Sequence, residues 1–274
     1  MACMNTSSAA LPVLAPTPEL SSLTRHPVAP RASESRLYGH RPALREADVR
    51  ANGVLGALIP LELERLMPRL QPVLFHAGQE LYDYSTVPGH VYFLCSGVVS
   101  LSLDLEAGEG VEIGLVGREG VLGLCALMPQ ATAGHRATVL LPGKGFSLPA
   151  CVLRDEFRCG AKLQSVLLKY MQAMLAQPAH IVFCNSRHSV EERLCRWLLA
   201  VRERANSAEM EVTHEQIAHL LGVRRSGISV AAGVLRKDGI IDSRRGRTII
   251  LDSQALQSRA CNCHRALSQS SFNA

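Results

Sequence analysis

The chain has 274 residues, 47% hydrophobic and 19% charged, enough apolar material for one large or two ordinary domains. Its formal charge of +5 is modest, so binding to a polyanion would have to come from local clustering. No apolar run approaches the roughly 20 residues needed to span a bilayer, and the N-terminus lacks a basic segment followed by an apolar one, so a cytosolic protein with no membrane partner is expected.

Residues 1–50 hold six of the fourteen prolines and six serines, with little apolar periodicity. They read as a disordered N-terminal tail. Leu55, Leu58, Ile59, Leu63, Leu66 and Met67 then line one side of one or two short helices, interrupted at Pro60 and Pro68. From Val73 to Pro149 the pattern changes. Residues 91–94, 98–103, 111–116, 137–141 and 145–148 are short apolar segments punctuated by glycines. Many short strands with regular turn signals suggest a β-roll or jelly roll, with a short helix over residues 121–128. Residues 51–158 are therefore assigned to one β-rich domain.

Helical spacing returns at residues 149–157, and a long helix is expected over 159–186. Leu163, Leu167, Tyr170, Met174, Gln177, Ile181 and Cys184 alternate in steps of four and three. That is a heptad seam, and packing against a second copy of the chain is expected, with packing on the chain's own β-roll as the alternative. Pro178 interrupts it. A proline inside a helix costs about 3 kcal/mol and removes a hydrogen bond, so a kink or break is expected within a turn of Pro178. Another helix follows over residues 191–204.

Residues 213–251 carry the chemistry. Thr213 is suited to cap a helix, with Ile217, Leu220 and Leu221 on its inner face. Gly222 marks a sharp turn. A second helix runs from about Arg225 to Lys237, with Ile228, Ala231, Ala232 and Leu235 inward. Two short strands around Ser243-Arg244-Arg245-Gly246-Arg247 complete a winged helix-turn-helix over residues 187–260. Seven basic residues (Arg224, Arg225, Arg236, Lys237, Arg244, Arg245, Arg247) and two acidic ones lie between Gly222 and Leu251. A basic helix start beside a basic hairpin is a footprint for the phosphates of double-stranded DNA. Thr213, Arg224, Arg225, Ser226, Ser229, Arg236, Arg244, Arg245 and Arg247 are the expected DNA-binding residues. The fold class is α+β, and residues 261–274 are expected to be a frayed tail.

The nine cysteines are scattered and odd in number, so no disulfide framework is expected. Cys261-x-Cys263-His264 could bind a soft metal or sense redox state. Its close spacing at a chain end, with no second ligand pair, argues for unstructured tail, and no metal is expected. A cupin-type metalloenzyme would need an H-x-H pair, and none occurs. No nucleophile–base pair, P-loop or G-x-G-x-x-G is present, so no catalytic residue is assigned. A helix-turn-helix kept only as a protein scaffold is the other alternative, and the basic wing argues against it.

The order of these parts resembles the Crp/Fnr family of bacterial transcription regulators, over residues 52–264. The likeness rests on HVYFLCSGVVSLSL (residues 90–103), on GLVGREGVLGLCALM (114–128) with HRATV (135–139), and on HSVEERLCRWLL (188–199) leading into the helix-turn-helix. The resemblance implies a cyclic-nucleotide-binding-like effector roll and a homodimer that binds a near-palindromic operator, with RNA polymerase as a candidate partner. It places Arg225 at the family's base-reading arginine. Ser226 and Val230 depart from the glutamate and second arginine of cyclic-AMP-receptor-type members. Arg224, Arg244, Arg245 and Arg247 then fall to the phosphate backbone.

In the effector pocket, Gly123, Leu124, Arg136 and Ala137 stand at the family's nucleotide contacts. Arg136 matches the phosphate-binding arginine. Leu124 replaces the ribose carboxylate and Ala137 the neighbouring hydroxyl. A cyclic nucleotide is therefore not expected, and Arg136 can instead pair within the roll, with Glu119 for example. Only Cys3 lies in the first 94 residues, so the iron–sulfur cluster of the oxygen-sensing branch is not expected either. Haem ligation by His76, His90 or His135 is not expected. A cyclic-nucleotide-responsive or redox-responsive regulator is the alternative to an effector roll that binds no cyclic AMP.

Overall fold

The computed structural model describes residues 44–104, 110–270 and 272. The expected tail over residues 1–50 falls mostly outside them, but ordered structure begins earlier than expected. Helix α1 (Glu46–Val49) already buries Val49. Asn52 then caps α2 (Gly53–Gly56), accepting from the N–H groups of Val54 and Leu55. The Asn52 amide nitrogen also donates to the carbonyls of Leu94, Arg118 and Gly120, so one fully buried side chain ties the entry of the domain to the end of one strand of the roll and to one of its turns. Pro60 opens α3 (Pro60–Leu66), where its missing N–H costs nothing, and Pro68 sits in the 3-10 turn that ends it.

The roll consists of two four-stranded antiparallel sheets. One has the order β1 (Gln71–Phe75), β8 (Gly143–Pro149), β3 (His90–Leu94), β6 (Val121–Leu122). The other has the order β2 (Glu80–Tyr82), β7 (Arg136–Leu141), β4 (Val98–Asp104), β5 (Gly110–Val116). Sequence alone missed β1, β2 and β6. β1 contains Pro72, which a strand tolerates at a sheet edge, where β1 lies. β6 is too short to carry a period. The helix expected over residues 121–128 shrinks to a 3-10 turn, Leu124–Leu127. Phe75, Tyr82, Leu94, Leu101, Leu122 and Val139 pack together within the roll.

After α4 (Ala150–Arg158), helix α5 (Ala161–Arg187) runs 27 residues without a break through Pro178. The expected break is absent, and the residue before Pro178 is held from outside the helix. The Gln177 amide accepts from the Leu115 N–H and donates to the Leu115 carbonyl on β5. The expected dimer seam is also corrected. Leu163, Leu167, Tyr170 and Ile181 are buried within the protomer. Met174 packs partly buried against the roll, and Gln177 is engaged with β5. The 4–3 period was real, but it records this helix lying on its own roll. The exposed stripe lies one residue further along, with Leu168, Leu175 and Val182 at 52%, 77% and 69% exposure.

Ser189 caps α6 (Val190–Ala205) through a reciprocal capping box with Glu192. β9 (Glu209–Met210), α7 (His214–Leu221), α8 (Arg225–Lys237), β10 (Ile241–Arg244), β11 (Arg247–Ile250) and α9 (Ser253–Arg259) follow, with the short sheet ordered β10-β11-β9. Within the frayed tail expected over residues 261–274, the described residues form a helix instead, α10 (Cys263–Ser270), anchored where His264 bonds Glu203 of α6 at 2.9 Å; residues 271, 273 and 274 lie outside the described residues. The core around Trp197, Leu198, Ile217, Ile228 and Leu235 continues into the roll through Val98, Leu115 and Leu141.

Candidate nucleic-acid interface

The Thr213 hydroxyl accepts from the Gln216 N–H, and the Gln216 side chain returns to the Thr213 N–H, so the first orphan donors of α7 are satisfied. Gly222 ends the helix at φ 60°, a left-handed conformation that a side chain would strain. α8 starts three residues later. Ile228, Ala231, Ala232 and Leu235 face the core, as their spacing requires. The wing turns through Arg245 and Gly246, both at positive φ, the combination a two-residue hairpin of matching twist needs.

All nine sequence-predicted residues, Thr213, Arg224, Arg225, Ser226, Ser229, Arg236, Arg244, Arg245 and Arg247, are exposed. Their local partners differ. The Arg225 guanidinium lies 3.5 Å from Glu215 on α7, Arg244 pairs with Asp242 at 3.0 Å, and Arg247 with Glu209 at 2.5 Å. Among the described residues, Arg224, Arg236 and Arg245 form no ion pair. Thr213 is occupied as a cap, and Ser229 is bound by His214.

His214 is the residue that sequence reasoning missed. One ring nitrogen bonds the Ser229 hydroxyl of α8 at 3.2 Å and the other the Ser243 hydroxyl of the wing at 3.0 Å. Ser243 in turn bonds Thr248. A single imidazole thus sets α8 and the wing side by side. Burial, then the positive charges of Arg225 and Arg236, hold its pKa below the ordinary histidine value. No local sequence signal marks it, because its partners lie 15 and 29 residues away.

A shallow surface beside α8 is lined by Val190, Ser226, Gly227, Val230 and Val234. Val230 is 69% exposed, so this helix presents an apolar side chain where the better-known reading head carries a charge.

A family model described as the Crp-like helix-turn-helix domain matches residues 192–259. The global nitrogen regulator of Synechococcus elongatus is 21% identical over 207 residues, covering 72% of this chain and 89% of that protein. The CRP-like cAMP-activated global transcriptional regulator of Mycobacterium tuberculosis is 23% identical, covering 76% of this chain and 96% of its own. The family model and these relatives support a Crp/Fnr-type transcription regulator with a Crp-like helix-turn-helix domain. Among solved structures, FixK2 from Bradyrhizobium japonicum shares the fold with a TM-score of 0.60, at 17% identity and covering 70% of this chain and 98% of that one. A CRP-family regulator from Thermus thermophilus has a TM-score of 0.56 at 22% identity, over 69% of this chain and 96% of its own.

The four residues expected in the effector pocket have local partners. Gly123 precedes the 3-10 turn in a left-handed conformation, but its N–H donates to the buried Tyr82 hydroxyl at 3.3 Å. That hydroxyl also lies 3.2 Å from the His135 ring. The Arg136 guanidinium meets three carboxylates, at 3.3 Å from Glu80, 3.3 Å from Asp83 and 3.1 Å from Asp104. Its expected partner Glu119 is elsewhere, 3.1 Å from Arg204 of α6. The Ala137 side chain is buried within the roll, and Leu124 packs beside the α2–α5 core. Gly123, Leu124, Arg136 and Ala137 thus lie in one region, where the one cation is already surrounded by negative charge.

Proposed function

We propose that this regulator acts as a homodimer on a near-palindromic operator, reading bases with the first half of α8 and gripping the phosphates with its wing. Arg225 is the base reader, suited to bond O6 and N7 of one guanine. Ser226 and Val230 complete the reading face, Val230 by apolar contact with a thymine methyl group. Arg224, Arg236, Arg244, Arg245 and Arg247 hold the backbone. The observation that carries this is the His214 bridge to Ser229 and Ser243, which fixes an exposed, basic helix start against an exposed, basic turn. The dimer is supported by the exposed α5 stripe, in which Leu168, Leu175 and Val182 recur every seven residues and Phe183 extends the apolar area. Three carboxylates around Arg136 leave no charge to offer a cyclic phosphate, so the roll answers to something other than cyclic AMP or cyclic GMP.

Operator selection followed by binding titrations tests the reading. Affinity falls steeply with added salt as bound phosphates release counterions. Arg225→Ala relaxes preference at one base pair per half-site, by about 1–3 kcal/mol. Arg245→Ala weakens binding to all sequences alike and lowers the salt slope by about one per wing. An Arg225→Ala protein that keeps the parent's sequence preference would place base reading elsewhere.

A further inference from the structure

Four side chains from two distant parts of the chain meet beside the junction of α5 and α6. Cys184 lies in the last turn of α5, and His188 is the residue that follows that helix. Cys261 lies between α9 and α10, and Cys263 opens α10. Cys184, Cys261 and Cys263 are 0%, 6% and 5% exposed, and they form an apolar cluster of their own. The ligand atoms of all four residues lie within 4.8 Å of one another. The Cys184 and Cys261 sulfurs are 3.5 Å apart, and the Cys263 sulfur is 3.6 Å from His188 Nδ1. In a tetrahedron with Zn–S near 2.3 Å and Zn–N near 2.0–2.1 Å, the S–S edge is about 3.8 Å and the S–N edge about 3.6 Å. Two edges of the cluster therefore already match a single-ion shell, and the cluster as a whole spans at most 4.8 Å. It is too tight to enclose several irons and their bridging sulfides.

We propose that Cys184, His188, Cys261 and Cys263 bind one Zn2+ ion in a closed, four-coordinate site that clamps the C-terminal segment to the α5–α6 junction. Thiolates with one imidazole are the soft donor set that selects this ion, and four protein ligands leave no open position for catalysis. Such a shell carries a net negative charge, and the surroundings answer it. Arg196 is 2% exposed, and its Nε has no hydrogen-bond partner among the described residues. His264, the other histidine beside the cysteines in sequence, is turned away to Glu203. Cys184-x3-His188 lies some 70 residues before Cys261-x-Cys263 along the chain. Only folding made the two pairs one site.

The test uses the full chain, purified under reducing conditions. Elemental analysis is expected to find one zinc per chain, and Co2+ added to the stripped protein to give thiolate-to-cobalt charge transfer with the intense d–d bands of tetrahedral coordination, saturating at one equivalent and displaced by Zn2+. Cys261→Ser with Cys263→Ser abolishes both, whereas the surface substitution Cys151→Ser keeps both. Stripping the ion lowers the thermal midpoint by several degrees and speeds hydrogen exchange in residues 260–270. Because the cobalt titration is made on the native sequence, a poorly folding variant does not decide the matter. Wild-type protein that takes up neither ion overturns the proposal, as does a Cys184–Cys261 disulfide that forms in its place.

Discussion

Glu112 shows what one buried carboxyl does when its elements bring it donors. It is 2% exposed on β5, where it accepts from Ser100 at 3.0 Å and from the Trp197 indole at 3.1 Å. Burial pushes its pKa up to about 7, although those donors and the charges of Arg196 and Arg204 pull it back. The folded chain therefore holds this proton more tightly than the unfolded one. The stability it contributes is complete below the ordinary carboxyl pKa and declines as the pH rises towards 7, by up to about 3 kcal/mol. Glu112→Gln keeps an acceptor for Trp197 and carries no charge. Denaturant titrations at pH 5 and pH 8 should show a smaller loss of stability in the variant than in the parent, and an equal loss in both would remove Glu112 as the cause. Asn52 makes the complementary case. Asn52→Ala leaves the Leu94 and Gly120 carbonyls buried without their donor, at about 1–3 kcal/mol for each unsatisfied group. A fall in denaturation midpoint at unchanged slope is the expected result.

At the scale of elements, the periodicity of α5 predicted a helix and a buried stripe, and both are present. It could not say what buries the stripe. Leu163, Leu167 and Tyr170 face the roll and the α2–α3 helices, and the steps of four and three on that face are those of any helix with one long apolar contact. Leu175→Asp should leave the protomer folded and shift sedimentation from dimer to monomer. Met174→Asp, one residue away, should instead lower the thermal midpoint, because Met174 packs on the roll core. A Leu175→Asp protein that stays dimeric would sink the exposed-stripe interface. The helix-turn-helix was legible to the residue because its signals are local. A capping hydroxyl, a left-handed glycine and an apolar face at helical spacing each depend on near neighbours alone. β2 and β6, at three and two residues, carry no such signal.

Over the whole molecule, the DNA-binding helices share one apolar core with the roll. Val98, Leu115 and Leu141 pack with Trp197 and Leu198, and the Arg204 guanidinium donates to the Leu115 carbonyl at 3.1 Å. Asp104, at the end of β4, lies 3.3 Å from His219 of α7. The same carboxylate pairs with Arg136, so the effector region and the helix-turn-helix meet through one side chain. Trp197 is the chain's single tryptophan and sits inside this shared core. Its fluorescence and the helical circular dichroism should therefore report one coincident unfolding transition. Two separated transitions would show that roll and DNA-binding part unfold independently.

The sequence by itself determined the order of the parts, the basic winged helix-turn-helix and the family, because those rest on local periodicity, capping chemistry and motifs read along the chain. Tertiary structure decided every question of partnership. It gave Arg136 to three carboxylates from β2, β4 and the loop after β2, turned the predicted seam of α5 inwards, and ordered the C-terminal residues as α10. It also joined His214 to the wing and brought Cys184 and His188 to Cys261 and Cys263. The physical reason is the same in each case. A side chain's charge and shape are fixed by its identity, but which group satisfies it depends on residues tens of positions away, and only packing brings those together.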